Sequence, residues 1–112
     1  MDRGRRKKVR YIQKMPKISH FSPRGKAGRP DEVQITIDQL ETFKLADLLG
    51  HTQLEGAKLM GISRPSFGRI LREARKRVAD SLVHGKSLHI RTGNVQVGIR
   101  PKLDSVCSSK NP

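Results

Sequence analysis

The sequence predicts a mainly α fold, a three-helix helix-turn-helix domain with a basic N-terminal arm before it and a short C-terminal β-hairpin after it. Three observations predict it. Two capping boxes, Thr36-Ile37-Asp38-Gln39 and Thr52-Gln53-Leu54-Glu55, lie sixteen residues apart. In each, a threonine hydroxyl and the side chain three residues on satisfy each other's free backbone amides, which marks a helix start. From Phe67 to Leu82 apolar residues recur at steps of three and four, the period of one helix face. Between the second box and that face stand Ala57, Gly61 and Ile62, a small residue for close helix approach and a glycine that tolerates the positive φ of a tight turn.

Taken in order, the first helix opens at Thr36, buries Leu40, Phe43, Ala46 and Leu49, and ends at Gly50. The second opens at Thr52 and runs to Met60, because Gly61 stops it. Ser63 is the N-cap of the third; Pro65 has no amide hydrogen, so the serine hydroxyl accepts from Ser66 instead. Arg64 precedes a proline and is biased away from helical geometry, so the first helical residue is Arg64 or Pro65. The buried face is Phe67, Ile70, Leu71, Ala74, Val78 and Leu82, and Gly85 is the residue past the C-terminus. Met60, Ile62, Phe67 and Leu71 fill the angle between the second and third helices. Gly56 stands inside a helix, where glycine costs roughly 1 kcal/mol relative to alanine; it either admits still closer contact or weakens the helix. Beyond Gly85, LHIRTGNVQVGI alternates around Thr92-Gly93-Asn94 and reads as a hairpin carrying Leu88, Ile90, Val95, Val97 and Ile99, the competing reading being a frayed tail.

The chain of 112 residues suits one small core. Its organisation reads as a basic, partly extended arm over 1–35, the helix-turn-helix over 36–85, and a hairpin and basic tail over 86–112. The three-helix segment is small for independent burial. Residues around Val9, Tyr11, Ile18 and Phe21, the hairpin, or a second copy would have to help.

Charge locates the function. Lysine and arginine number 24 against 10 acidic residues, a formal net charge of +14, the balance of a protein that meets polyanions. Residues 1–30 hold 11 basic and 1 acidic residue and residues 31–85 hold 8 of each. Within the folded part, the 64–84 helix has 6 basic residues against 2 acidic. At about 100° per residue, Pro65, Arg69, Arg72 and Lys76 fall opposite its apolar face. The second helix of such a motif enters the major groove, where Ser63, Arg64, Pro65, Ser66, Gly68, Arg69 and Arg72 reach base edges. An arginine fork can donate twice to guanine, while Arg75, Lys76 and Arg77 meet phosphates. Arg5, Arg6, Lys7 and Lys8 neutralise phosphates or enter the minor groove, and PRGKAGRP at 23–30, an interrupted minor-groove hook on the alternative reading, reads as a linker.

The expected function is therefore a DNA-binding protein acting as a transcriptional regulator on double-stranded DNA, with a two-fold dimer reading paired half-sites. The alternative is a sequence-independent RNA-binding or nucleoid-type protein working through its arms. An enzyme is not expected. His20, His51, His84 and His89 have no metal-ligand spacing, Ser66 has no base near it in sequence, and there is no glycine-rich phosphate loop with lysine. No cofactor and no metal are expected on that reading. Cys107 is a single cysteine, without a disulfide partner. The N-terminus lacks the apolar core of a signal peptide, and no run approaches the roughly 18 apolar residues of a membrane span, so a cytoplasmic protein with no membrane partner is expected.

The stretches KMPKISHFSPRG, DEVQITIDQLETFKLADLLG and above all GISRPSFGRILREARKRVADSLVHGKSLHI resemble uncharacterised protein family 0251, also called domain of unknown function 134, over roughly residues 5–92. The resemblance implies a small DNA-binding protein whose helix-turn-helix is similar to region 4 of sigma factors. It maps the recognition helix onto Ser63 through Val83, with Arg64, Arg69 and Arg72 at the matching polar positions. Pro65 stands where a polar residue is usual, and Gly56 where alanine is usual.

Overall fold

A computed structural model describes residues 10–25, 30–91 and 95–97. Strands β1 (Arg10–Ile12), β2 (His20–Phe21) and β3 (Glu32–Thr36) precede helices α1 (Ile37–Phe43), α2 (Gln53–Met60) and α3 (Arg64–His84), and strands β4 (Ser87–Arg91) and β5 (Val95–Val97) follow. Thr36 ends β3 and caps α1 at once. Its hydroxyl accepts from the Gln39 amide while Gln39 Oε1 accepts from the Thr36 amide at 3.0 Å. Thr52 repeats the device on α2, at 3.1 and 2.9 Å with Glu55. Both helix starts fall where the capping boxes place them.

α2 ends at Met60. Gly61 is left-handed, with φ 73° and ψ 31°, a conformation that costs glycine little because it has no Cβ. Its amide donates to Lys58 O at 3.2 Å and that of Ile62 donates to Ala57 O at 3.0 Å, the paired bonds of a Schellman turn. Two residues later Ser63 Oγ accepts from the Ser66 amide at 3.2 Å and α3 begins at Arg64. Gly85, also left-handed, closes α3.

The apolar side chains divide into two clusters. Leu45, Ala57, Met60, Phe67 and Leu71 fill the angle between α2 and α3, with Ile62 and Ala46 partly buried against them. Ile12, Ile35, Ile37, Ala74 and Ile90 join the strands to α1 and α3, with Val78 and Leu88 at the edge, and Phe43 touches both clusters.

Several expectations are corrected. The hairpin does not form: β4 is the centre of a three-stranded sheet in the order β2-β4-β3, antiparallel to β2 and parallel to β3, while β5 pairs parallel with β1. The alternation of Leu88 and Ile90 is real, but their partners are Val33 and Ile35 in register. Thr92-Gly93-Asn94 and Ile99 lie outside the described residues. The three helices thus form the crossover between two parallel neighbours, β3 and β4. On α3 the buried series is Phe67, Leu71, Ala74 and Ser81, whereas Leu82 is 78% exposed. Ser81 is turned inward because its hydroxyl donates to Lys86 O and its carbonyl accepts from the Lys86 amide, which swings the chain into β4. After Phe43 the first helix widens into a π-helical turn, Lys44–Leu48. The extra residue rotates its face, so Leu45 is buried and Leu48 and Leu49 are exposed. Of the residues expected to support the helices, Ile18 and Phe21 are exposed; Ile12 does that work, at 1% exposure.

Ile12 is followed by a polar tie to the helices. The Gln13 amide donates to Glu41 Oε2 at 3.2 Å, and Lys44 Nζ sits 3.3 Å from Glu41 Oε1 and 2.8 Å from Gln13 Oε1. Burial pushes the Glu41 carboxyl above its ordinary value of 4.5, although Lys44 and the Gln13 amide pull the other way. An acid with a raised folded-state pKa binds its proton more tightly in the native state, so its contribution to stability is largest below 4.5 and declines as pH rises above it. Glu41→Gln removes that decline. In urea unfolding at a series of pH values, the variant is expected to gain on the parent as pH rises from 4.5; a constant difference would refute the assignment.

Candidate nucleic-acid interface

The positions expected to read bases lie on the solvent side of α3. Ser63, Arg64, Pro65, Arg69 and Arg72 are exposed, and Ser66 and Gly68 are half-buried. Phe67 and Leu71, between them, are fixed in the core. Ser66 Oγ lies 2.9 Å from Ser63 Oγ, and Arg69 donates to Ser66 Oγ at 3.5 Å. The first turn of α3 contains no acidic residue, so its positive dipole end is not offset by a carboxylate of its own.

The basic residues of α3 separate into two sets. Arg75 is held by Asp47 through two hydrogen bonds of 2.9 and 2.8 Å, which keep the Asp47 carboxyl below, and the guanidinium above, its ordinary range. Arg77 donates to Glu73 at 2.9 Å and to Gln34 O at 2.8 Å. By contrast Arg64, Arg69, Arg72 and Lys76 have no ion-pair partner among the described residues. Arg75 meets an anionic ligand with Asp47 already on its Nε and Nη2, a competition that charge counting does not reveal. Arg5, Arg6, Lys7 and Lys8 lie outside the described residues.

Ala57 and Met60 are buried between α2 and α3 and Gly61 is left-handed at the turn, and the packing gives Gly56 a reason. A β-carbon there would lie 2.5 Å from both Cε2 and Cζ of Phe67. The glycine admits the ring.

A second cluster is visible only in the folded chain. On the polar face of the sheet, His20 of β2 and His89 of β4 are cross-strand partners with rings stacked at 4.0 Å and 12° between planes. Glu32 Oε2 of β3 lies 3.5 Å from His89 Nδ1. The Gln34 amide, at 3.2 Å, and then the two imidazoles hold the Glu32 carboxyl below its ordinary range. Nothing in linear spacing signals the trio, since its members come from three strands; only the unforeseen pairing of β4 gathers them. Asp80, with His84 at 2.7 Å and Lys86 at 3.2 Å, is a separate local cluster.

Among the described residues, no helix is long and apolar enough to cross a membrane. A family model described as "Protein of unknown function DUF134" matches residues 1–98. A UPF0251 protein of Prosthecochloris aestuarii is 43% identical over 93 residues, which cover 82% of this chain and 60% of that protein. One from Thermoanaerobacter pseudethanolicus is 43% identical over 91 residues, covering 80% and 77%, and one from Dehalococcoides mccartyi is 42% identical over 98 residues, covering 84% and 81%. No solved structure matches the chain. With nearly the whole chain matched by the family model and relatives of this similarity, the chain belongs to the DUF134 family, whose curated relatives carry the name UPF0251.

Proposed function

We propose that the chain is a DNA-binding transcriptional regulator of the cytoplasm, in which α2, the Gly61 turn and α3 act as a helix-turn-helix similar to sigma factor region 4. The observation that carries this reading is the division of α3. Its apolar side is fixed by Phe67 and Leu71, while Arg64, Arg69 and Arg72 stand exposed and without an ion-pair partner among the described residues. Guanidinium groups held on a rigid helix can donate in pairs to guanine edges without first breaking internal bonds. The uncompensated first turn, capped by Ser63, favours a phosphate.

One observation favours a second reading, sequence-independent binding of RNA or DNA. Residues 1–30 carry +10 of the formal +14, and affinity without specificity needs only positive charge. Deleting that segment would remove Ile12 from the core, so the arm is better tested by changing Arg5, Arg6, Lys7 and Lys8 to glutamine. The experiment is selection from a random duplex library, repeated with this neutralised variant. The proposal expects an enriched motif in both, with weaker binding and a shallower salt dependence for the variant. A two-fold dimer would give a palindrome with half-sites about 34 Å apart. A flat selection with the parent protein would overturn the proposal in favour of the second reading.

A further inference from the structure

We propose that His20, Glu32 and His89 form a binding site for a divalent transition-metal ion of the zinc class. β4 is the central strand, so His89 has a neighbour on each side: His20 directly opposite on β2, and Glu32 one diagonal step along β3, whose Gln34 is the register partner of His89. Alternation along β3 puts Glu32 and Gln34 on the outer face, with Val33 and Ile35 buried beneath. The sheet therefore delivers two imidazoles and a carboxylate to one spot by register, through residues 69 positions apart in the chain.

The donor atoms all lie within 4.8 Å of one another. Bonds of about 2.0–2.2 Å in a tetrahedral site put donors roughly 3.4 Å apart. Side-chain rotation can close that gap, because His20 and Glu32 are exposed and His89 is partly so, and the strands need not move. Binding would turn the stacked rings and compete with the Gln34 amide at Glu32 Oε2, while the remaining contacts are weak. The contacts of the two ring nitrogens, His89 Nδ1 to Glu32 and His20 Nδ1 to Ser19 Oγ, are both at the 3.5 Å limit of hydrogen bonding. Arg91, farther along β4, donates to Gln34 Oε1 at 3.0 Å and so neighbours the site through Gln34 and is not one of its ligands.

Two nitrogens and one oxygen suit zinc and its neighbours and do not suit calcium or magnesium, which favour oxygen ligands throughout. Three protein ligands leave a fourth position for water. Since each ligand belongs to a different strand, the ion would cross-link the two-residue β2 to β4 and β3, clasping the segment before α1 onto the body.

The test is titration of the full chain with Zn²⁺ by calorimetry, with Co²⁺ absorption as a spectroscopic probe and thermal unfolding with and without EDTA. One equivalent is expected to bind, raise the unfolding midpoint reversibly, and give visible d–d bands with Co²⁺. His20→Ala and His89→Ala should each weaken binding at least about tenfold, as loss of a group around a metal does. His84→Ala, in the local cluster with Asp80, should leave it unchanged. Absence of stoichiometric binding, binding that survives His20→Ala and His89→Ala together, or equal loss in His84→Ala would overturn the site. Metal binding is the readout, so the result does not depend on whether the chain binds DNA.

Discussion

Phe67→Ala is expected to remove about 3–5 kcal/mol of stability, the cost of leaving a phenyl-sized cavity in a packed core. Phe67 is fully buried among Ala57, Met60 and Leu71. Its ring also occupies the space above Gly56, which makes a second variant informative. Alanine gains roughly 1 kcal/mol over glycine inside a helix, so propensity alone predicts that Gly56→Ala stabilises. The 2.5 Å approach decides otherwise: the ring or the helix must shift, and overpacking of this kind costs about 1–3 kcal/mol. Urea unfolding of Gly56→Ala, Phe67→Leu and the pair should give a coupling of about 0.5–3 kcal/mol, the smaller side chain relieving the added methyl. Strict additivity would mean that the contact does not limit the packing.

Arg69→Glu is expected to abolish binding to a selected duplex while leaving the circular dichroism spectrum unchanged. The side chain is exposed and its hydrogen bond to Ser66 Oγ, the one it makes among the described residues, is long, so stability should move by no more than about 0.5 kcal/mol. Binding loses a bidentate contact of about 1–3 kcal/mol and gains a carboxylate facing phosphates. Arg72→Glu should act in the same direction. Fluorescence anisotropy on the selected site measures both, and unaltered affinity in Arg69→Glu would eliminate α3 as the docking element. Arg75 is a poorer choice for such a test, because reversing its charge also sets two carboxylates against each other at Asp47.

The parts of the fold that could be read in the sequence are those decided within four or five residues. Thr36, Thr52, Ser63 and Gly61 act through bonds to their immediate neighbours, so their residue types suffice to place helix ends. The helix period likewise found Phe67, Leu71 and Ala74. It failed at Leu82, where a serine serves the chain reversal, and at Leu49, where a π-helical turn shifts the face. The sheet was hidden for a different reason. Val33 and Leu88 are register partners 55 residues apart, and alternation in a short strand says that it has a buried face without saying which strand lies beside it. The outward arginines followed from the helix period, but the capture of Arg75 by Asp47 and the meeting of His20, Glu32 and His89 required tertiary placement.

α3 serves two masters along its roughly 30 Å length: Phe67 and Leu71 anchor its first half against α2, while Ala74 and Val78 seat its second half on the strands. The trihelical unit is consequently not a portable cassette. Grafted elsewhere without the ribbons that flank it, it would keep the hold of Phe67 and Leu71 beneath the arginines but lose the seat of Ala74 and Val78 that steadies the far end of the rod.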